Sequence, residues 1–241
     1  MAAPYYDEIE IQASNFRSIS GLSDSEPVDC KNLLLRFNIL TVYKKMSEEF
    51  SGMCLKRADK KFILINSRHS KGRQHFTIGH ELYHLFIQKE FNTHFCNPGS
   101  QTKDINEKKA DLFSSILLMP EIGIKKNIPP NELKKNLSIA TLLRLERIFS
   151  VSHIAMIIRL KDLGIIDKNQ FQEFKELPLS RVAIYYGFNT SLYENGNDGL
   201  VIGDYGTLAK KRFDEGCISE GHYRELMSDI GIDLTDIDHD K

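Results

Sequence analysis

Nowhere in the 241 residues is there a run of about 18 apolar residues, so no membrane span is expected. The opening stretch MAAPYYDEIEIQ has neither a basic start nor an apolar core, and a secretory signal is therefore not expected. Excess charge of either sign is also missing. The formal net charge is −1, which gives no global pull toward nucleic acid. Only four cysteines occur, at 30, 54, 96 and 217, and none forms a CxxC pair. They are expected to be reduced and structural in a cytoplasmic chain, with a thiolate ligand at Cys96 as the minor alternative. Gly196, Gly199, Gly203 and Gly206 make no P-loop, because no GK[ST] follows them. What is present is 41% hydrophobic and 27% charged, ample for one large domain or a domain with an appendage.

The most informative stretch is His80-Glu81-Leu82-Tyr83-His84, an HExxH pentapeptide. On a helix the two His stand one turn apart on one face, where both imidazoles can reach one Zn²⁺. Glu81 then projects beside the metal, placed to take a proton from the attacking water. The context strengthens a motif that is weak alone. Wound as a helix, residues 76–89 gather Thr77, His80, Glu81, His84 and Gln88 into one arc, with nearly everything else apolar. A helix apolar around most of its circumference is buried, so its polar stripe needs a partner. A metal in a wet cleft would supply one. Gly79 costs such a helix about 1 kcal/mol relative to Ala, which close packing against a neighbouring element would explain.

A catalytic zinc site usually has three protein ligands and one open position. The candidate for the third is Glu107, in the ExxxD pattern Glu107–Asp111 on a second helix over about 104–118. Glu107 would complete a His₂Glu set. Asp111, one turn along, can accept the other N–H of a ligating imidazole and fix its tautomer. Taken alone, Glu107 reads better as a solvated acid in a helix's first turn; paired with Asp111 and the HExxH at this separation, it reads as the ligand. Ser114 and Ser115 flank the same face, and Phe113, Ile116 and Leu117 read as core.

Four regions are expected. Residues 1–37 form a helical segment, with amphipathic stretches near 7–20 and 28–37. Residues 38–135 form the core, with strands at Ile39–Tyr43 and Lys61–Asn66 and the Ser51–Lys56 segment completing a small sheet. Arg68, His69, Lys71, Arg73 and His75 cluster before the metal helix, either as a substrate or oxyanion contact or as an ordinary solvated loop. Asn92–Lys103 reads as a surface loop. In residues 136–177, helices over 138–148 and 153–163 joined by a short turn resemble a helix-turn-helix. The second carries only Arg159 and Lys161 as cations, so packing is favoured over DNA reading. His153 reads as a capping or surface residue, or as an oxyanion donor. Residues 178–241 read as a loop-rich appendage with a strand at Arg181–Tyr186, helices at Leu208–Phe213 and Ser219–Ile230, and a disordered Asp-rich tail. That tail holds His239, a remote metal-ligand candidate.

The stretch Phe50–Pro120 resembles the ImmA/IrrE family of metallopeptidases. The matching pieces are Phe50-Ser51-Gly52-Met53, Ile65-Asn66-Ser67, Arg73-Gln74-His75-Phe76-Thr77, the HExxH itself, Glu107, Ala110-Asp111, Phe113 and Leu117-Leu118-Met119-Pro120. A weaker similarity runs from about residue 8 to 165. The resemblance implies an α+β, zincin-like (gluzincin-type) fold and zinc-dependent endopeptidase activity on a protein substrate such as an XRE-type helix-turn-helix repressor, cut after DNA damage or mobile-element signals. It further implies His80, His84 and Glu107 as zinc ligands and Glu81 as base. Tyr83 fills a position often small in the family, where it can narrow the cleft or supply a phenol. The alternative from another class is a metal-containing DNA- or protein-binding regulator without peptidase activity.

Overall fold

The computed structural model describes residues 4–89, 94–96, 104–133 and 136–234. The order along the chain begins α1 (Tyr6–Ile19), α2 (Cys30–Arg36), β1 (Ile39–Lys44), β2 (Gly52–Arg57), β3 (Lys60–Asn66) and α3 (Lys71–Phe86). It continues β4 (His94–Cys96), α4 (Ile105–Leu118), α5 (Glu121–Lys126), α6 (Ile139–Phe149) and α7 (His153–Asp162). It ends α8 (Lys168–Lys175), α9 (Leu179–Tyr185), β5 (Val201–Ile202), α10 (Tyr205–Asp214) and α11 (Glu220–Asp229). The architecture is mixed α+β: many helices around one small sheet.

The sheet order is β4-β2-β3-β1-β5, with β1 and β3 parallel and the other neighbours antiparallel. Alternation along β1, whose Ile39, Thr41 and Tyr43 are buried and whose Leu40 and Val42 are half-buried, shows one face packed on helices. That face meets α3, the most enclosed helix among the described residues, in which Thr77 to Leu85 are all buried. Behind α3 sits an aromatic cluster. Phe16 of α1 lies 5.3 Å from Phe37, 5.4 Å from Phe86 and 5.7 Å from Phe113 by ring centroids.

Two arginines are spent on the fold. Arg17 is buried, and its guanidinium donates to the carbonyls of Leu117, Ser23 and Glu26, tying α1 to the end of α4. Arg159 of α7 is 1% exposed and donates to Met119 O and to the Tyr6 hydroxyl. A buried guanidinium so occupied cannot read a phosphate. Lys161, the other cation of that helix, lies over the Phe171 ring. Both cations of α7 are thus occupied within the fold.

Three expectations are corrected. Arg181–Tyr186 does not form a strand: residues 179–185 are the helix α9, which ends before Gly187 at φ 75°. Helix α3 begins at Lys71 rather than Phe76, so Lys71, Arg73 and His75 belong to its first turns instead of a preceding loop. The segment after 178 is not wholly peripheral either, since Val201–Ile202 adds to the sheet beside β1. The early start of α3 follows from that return. The Lys71 and Gly72 N–H groups donate to Glu194 O and Leu192 O at 2.9 and 3.1 Å, so carbonyls about 120 residues away cap the helix. Asn197 Nδ2 and the carbonyls of His69 and Gly196 fix Gln74 beneath them. His239 and most of the Asp-rich tail lie outside the described residues, as do the Cys96 side chain and most of the 92–103 segment.

Candidate metal centre

His80 and His84 emerge from α3 toward α4, and Glu107 meets them from the first turn of α4. The two Nε2 atoms are 3.1 Å apart. Glu107 Oε1 lies 3.2 Å from His84 Nε2, and its Oε2 lies 3.4 Å from His80 Nε2. Ligand atoms of all three fall within 4.8 Å of one another. For metal–nitrogen bonds of about 2.0–2.1 Å, tetrahedral ligands stand about 3.3–3.4 Å apart. Each Nε2 thus faces its own oxygen of the Glu107 carboxylate, and the two Nε2 atoms face each other, at separations near that spacing.

The outer hydrogen bonds explain why the rings point this way. His80 Nδ1 lies 2.9 Å from Asp111 Oδ1, and His84 Nδ1 lies 2.5 Å from Gln88 Oε1. Both partners accept, so both Nδ1 atoms carry hydrogens. In neutral rings that leaves two Nε2 lone pairs facing each other beside a carboxylate, mutually repulsive unless a cation stands between them. A proton or a metal ion satisfies the arrangement. Burial opposes a charged His80, but the bonds to Asp111 and Glu107 and the nearby Glu81 carboxylate outweigh it and push its pKa up to about 10. The donors therefore suit a metal, by geometry and by charge.

Glu81 is fully buried, and neither carboxylate oxygen accepts a hydrogen bond. Leaving a buried carboxylate so unsatisfied is costly. The Cys54 thiol is its neighbour. Burial, then the Glu81 carboxylate, lifts that thiol well above its ordinary range. Tyr83, buried, packs edge-on to His84 at 5.6 Å and against Phe113 at 5.8 Å, and so backs that imidazole rather than standing apart from it.

Other candidates fall elsewhere. His153 is buried, neither cap nor surface, with Nδ1 2.7 Å from Glu146 Oε1 and Nε2 2.8 Å from Phe174 O. With both nitrogens engaged, it holds α6, α7 and α8 together. His69 Nε2 bonds Glu48 O, and His75 Nδ1 bonds Ser150 O, so both are also structural. Gln88 is the residue that sequence reasoning placed on the polar arc without a task; its spacing of four from His84 was the available signal.

Residues 34–161 match the sequence model of the peptidase M78 family, described as the IrrE N-terminal-like domain, over more than half of the chain. The chain belongs to the M78 peptidase family. This agrees with the resemblance read from the HExxH and its flanking motifs. No curated protein matches the chain. Among solved structures, a Mycobacterium tuberculosis transcriptional regulator is similar at 15% identity and a TM-score of 0.43, over 65% of this chain and 49% of that one. The M78 chain thus spans about half the length of that protein.

Proposed function

We propose that the chain is a zinc-dependent endopeptidase with a zincin-like, gluzincin-type core, acting in the cytoplasm on a regulatory protein such as an XRE-type helix-turn-helix repressor. The carrying observation is the convergence of His80, His84 and Glu107 beside a buried carboxylate, Glu81, that has no hydrogen-bond partner. Two imidazoles and one carboxylate are a donor set that suits zinc and leaves a coordination position open. Membership of a peptidase family supports the reaction class. The repressor as substrate rests on the ImmA/IrrE resemblance.

Held by these three side chains, zinc would polarise the scissile carbonyl and lower the pKa of water. The chain's own residues do the rest. Glu81 takes the proton of the attacking water and passes it to the leaving nitrogen, its acceptor capacity unspent on the protein. Asp111 and Gln88 keep both rings with hydrogen on Nδ1 and the Nε2 lone pairs on the ligand side. The burial of Arg159 in α7 supports a peptidase over a DNA-binding regulator.

Zinc-loaded wild type should cut a proteome-derived peptide mixture, read by mass spectrometry. Glu81→Gln should hold about one zinc per chain and lose cleavage by about 10²–10⁴-fold or more. Undiminished cleavage by that variant would refute the assigned base. A zinc-loaded wild type that leaves the mixture and a helix-turn-helix repressor uncut would refute the peptidase.

A further inference from the structure

Beside the metal centre, a cavity of about 710 Å³ opens between the first turns of α3, the middle of α4 and the outer face of α7. Its apolar lining comes from Phe76, Leu112, Ile154, Ala155, Ile158 and Leu179. Ile154 and Ile158 remain 46% and 44% exposed, on a helix whose opposite side is buried in the core. They stand four residues apart, so they form one aliphatic ridge along the cavity wall. The helix that reads from sequence as the second of a helix-turn-helix pair thus presents aliphatic groups to the cavity and keeps its arginine inside.

Asp111 joins this cavity to the site. Its carboxylate bonds His80 Nδ1 at 2.9 Å, and the same residue forms part of the cavity wall. From Glu107, the lining positions Asp111, Leu112 and Ser115 lie about 6–12 Å along α4, at 1.5 Å per residue. An extended peptide advances about 3.3–3.6 Å per residue. A chain whose scissile bond sat at the metal centre and whose backbone followed α4 would reach the cavity two or three residues away. The α6–α7 turn is held against α3 by the bond from His75 to Ser150 O, so the wall keeps its place relative to the metal helix.

We infer that this cavity is a specificity pocket, with α7 as a substrate-reading helix. It selects polypeptides with a large aliphatic or aromatic residue two or three positions from the scissile bond. The inference rests on the peptidase reading of the metal centre, and the test separates the two. Direct binding is measured on the full chain carrying Glu81→Gln, loaded with zinc. The probes are fluorescent ten-residue peptides that differ only by Leu or Asp at one position. Cleavage preference is measured on the otherwise wild-type chain with the peptide mixture. The expected result is tighter binding of the Leu peptides and enrichment of large apolar residues at the stated distance from cut bonds. Ile158→Asp and, independently, Ser115→Trp should each reduce the Leu preference by about tenfold or more, the scale of one apolar side chain losing its pocket. Both sites are at least partly exposed, and thermal unfolding confirms that each variant folds. Equal binding of Leu and Asp peptides, or a preference unmoved by both variants, would overturn the pocket even if cleavage is normal. Leu-selective binding that both variants abolish, by a chain that cuts nothing, would uphold the pocket and sink the peptidase.

Discussion

Gly52 of β2 lies directly over Glu81 of α3: a methyl group at Gly52 would stand 3.2 Å from Glu81 Oε1, 3.0 Å from Leu64 O and 2.6 Å from Thr77 Cγ2. The backbone oxygen cannot retreat without breaking the β2–β3 ladder, and Thr77 is buried. The sheet therefore presses on the carboxylate through the one residue that lets it come so close.

Gly52→Ala should consequently push Glu81 aside while leaving His80, His84 and Glu107 in place. Overpacking of this kind costs about 1–3 kcal/mol. The expected outcome is a lowered unfolding temperature, about one zinc per chain, and cleavage reduced at least tenfold. Zinc content and cleavage rate measured on one preparation decide it: normal cleavage would show that the contact does not position the carboxylate.

The contact between α3 and α4 has its own tight point. A methyl group at Gly79 would meet Ser114 Oγ at 2.4 Å and Ser114 Cβ at 3.1 Å. Gly79→Ala should destabilise the chain, although Ala is the better helix former by about 1 kcal/mol. It should also weaken zinc binding, because α3 and α4 carry the proposed ligands between them. Ser114→Gly added to Gly79→Ala should restore part of both losses. Denaturant titrations of the two single variants and the double variant give the coupling, and additive effects would refute the direct clash.

How much of this was legible in the sequence depends on how local each cause is. The convergence of His80 and His84 beside Glu81 follows from the 3.6-residue period alone, and the shared face of Glu107 and Asp111 follows from the same period on a second helix. The Gly79 contact was anticipated as close packing, though not its partner. The start of α3 was missed because residues 192–194 cap it, and no rule confined to residues 66–76 can see them. Arg181–Tyr186 misled through its β-branched and aromatic residues. The pair Pro178 and Gly187, a proline before and a glycine after, was the better signal of a short helix. His153 looked like a surface group because its partners, Glu146 and Phe174 O, come from other helices. The role of Gly52 emerges only when β2 is laid across α3.

The bonds to the far sides of the ligand rings should matter nearly as much as the ligands. Removing such a partner typically lowers metal affinity about 10–100-fold. Asp111→Asn and Gln88→Leu should each weaken zinc binding to that extent, and saturating zinc should recover much of the cleavage. Competition with a chromogenic chelator gives the affinities. Gln88→Leu removes the acceptor, so His84 loses its fixed tautomer. Asp111→Asn keeps an acceptor but loses the charge, and so separates orientation from electrostatics. Unchanged affinity in both would mean that helix packing alone orients the rings.

Zinc binding should be strongly pH-dependent, and the sign follows from His80. Without metal its pKa is raised to about 10 by Asp111, Glu107 and Glu81 against the opposing effect of burial. Its pairing thus stabilises the metal-free fold fully below the ordinary histidine pKa of about 6.5, and that contribution fades as pH rises through about 10. A metal needs the Nε2 lone pair that the proton occupies. Between pH 6 and 8 each zinc bound should displace about one proton from His80, and affinity should rise roughly tenfold per pH unit. Calorimetric titrations in buffers of different ionisation enthalpy count the protons released. Asp111→Asn weakens the hold on the proton as well as on the metal-ready tautomer, so it should release fewer protons and flatten the pH dependence. Zinc binding that is independent of pH and releases no proton from the wild type would show that His80 is neutral before the metal arrives, and that the carboxylates around it do not hold the ring charged.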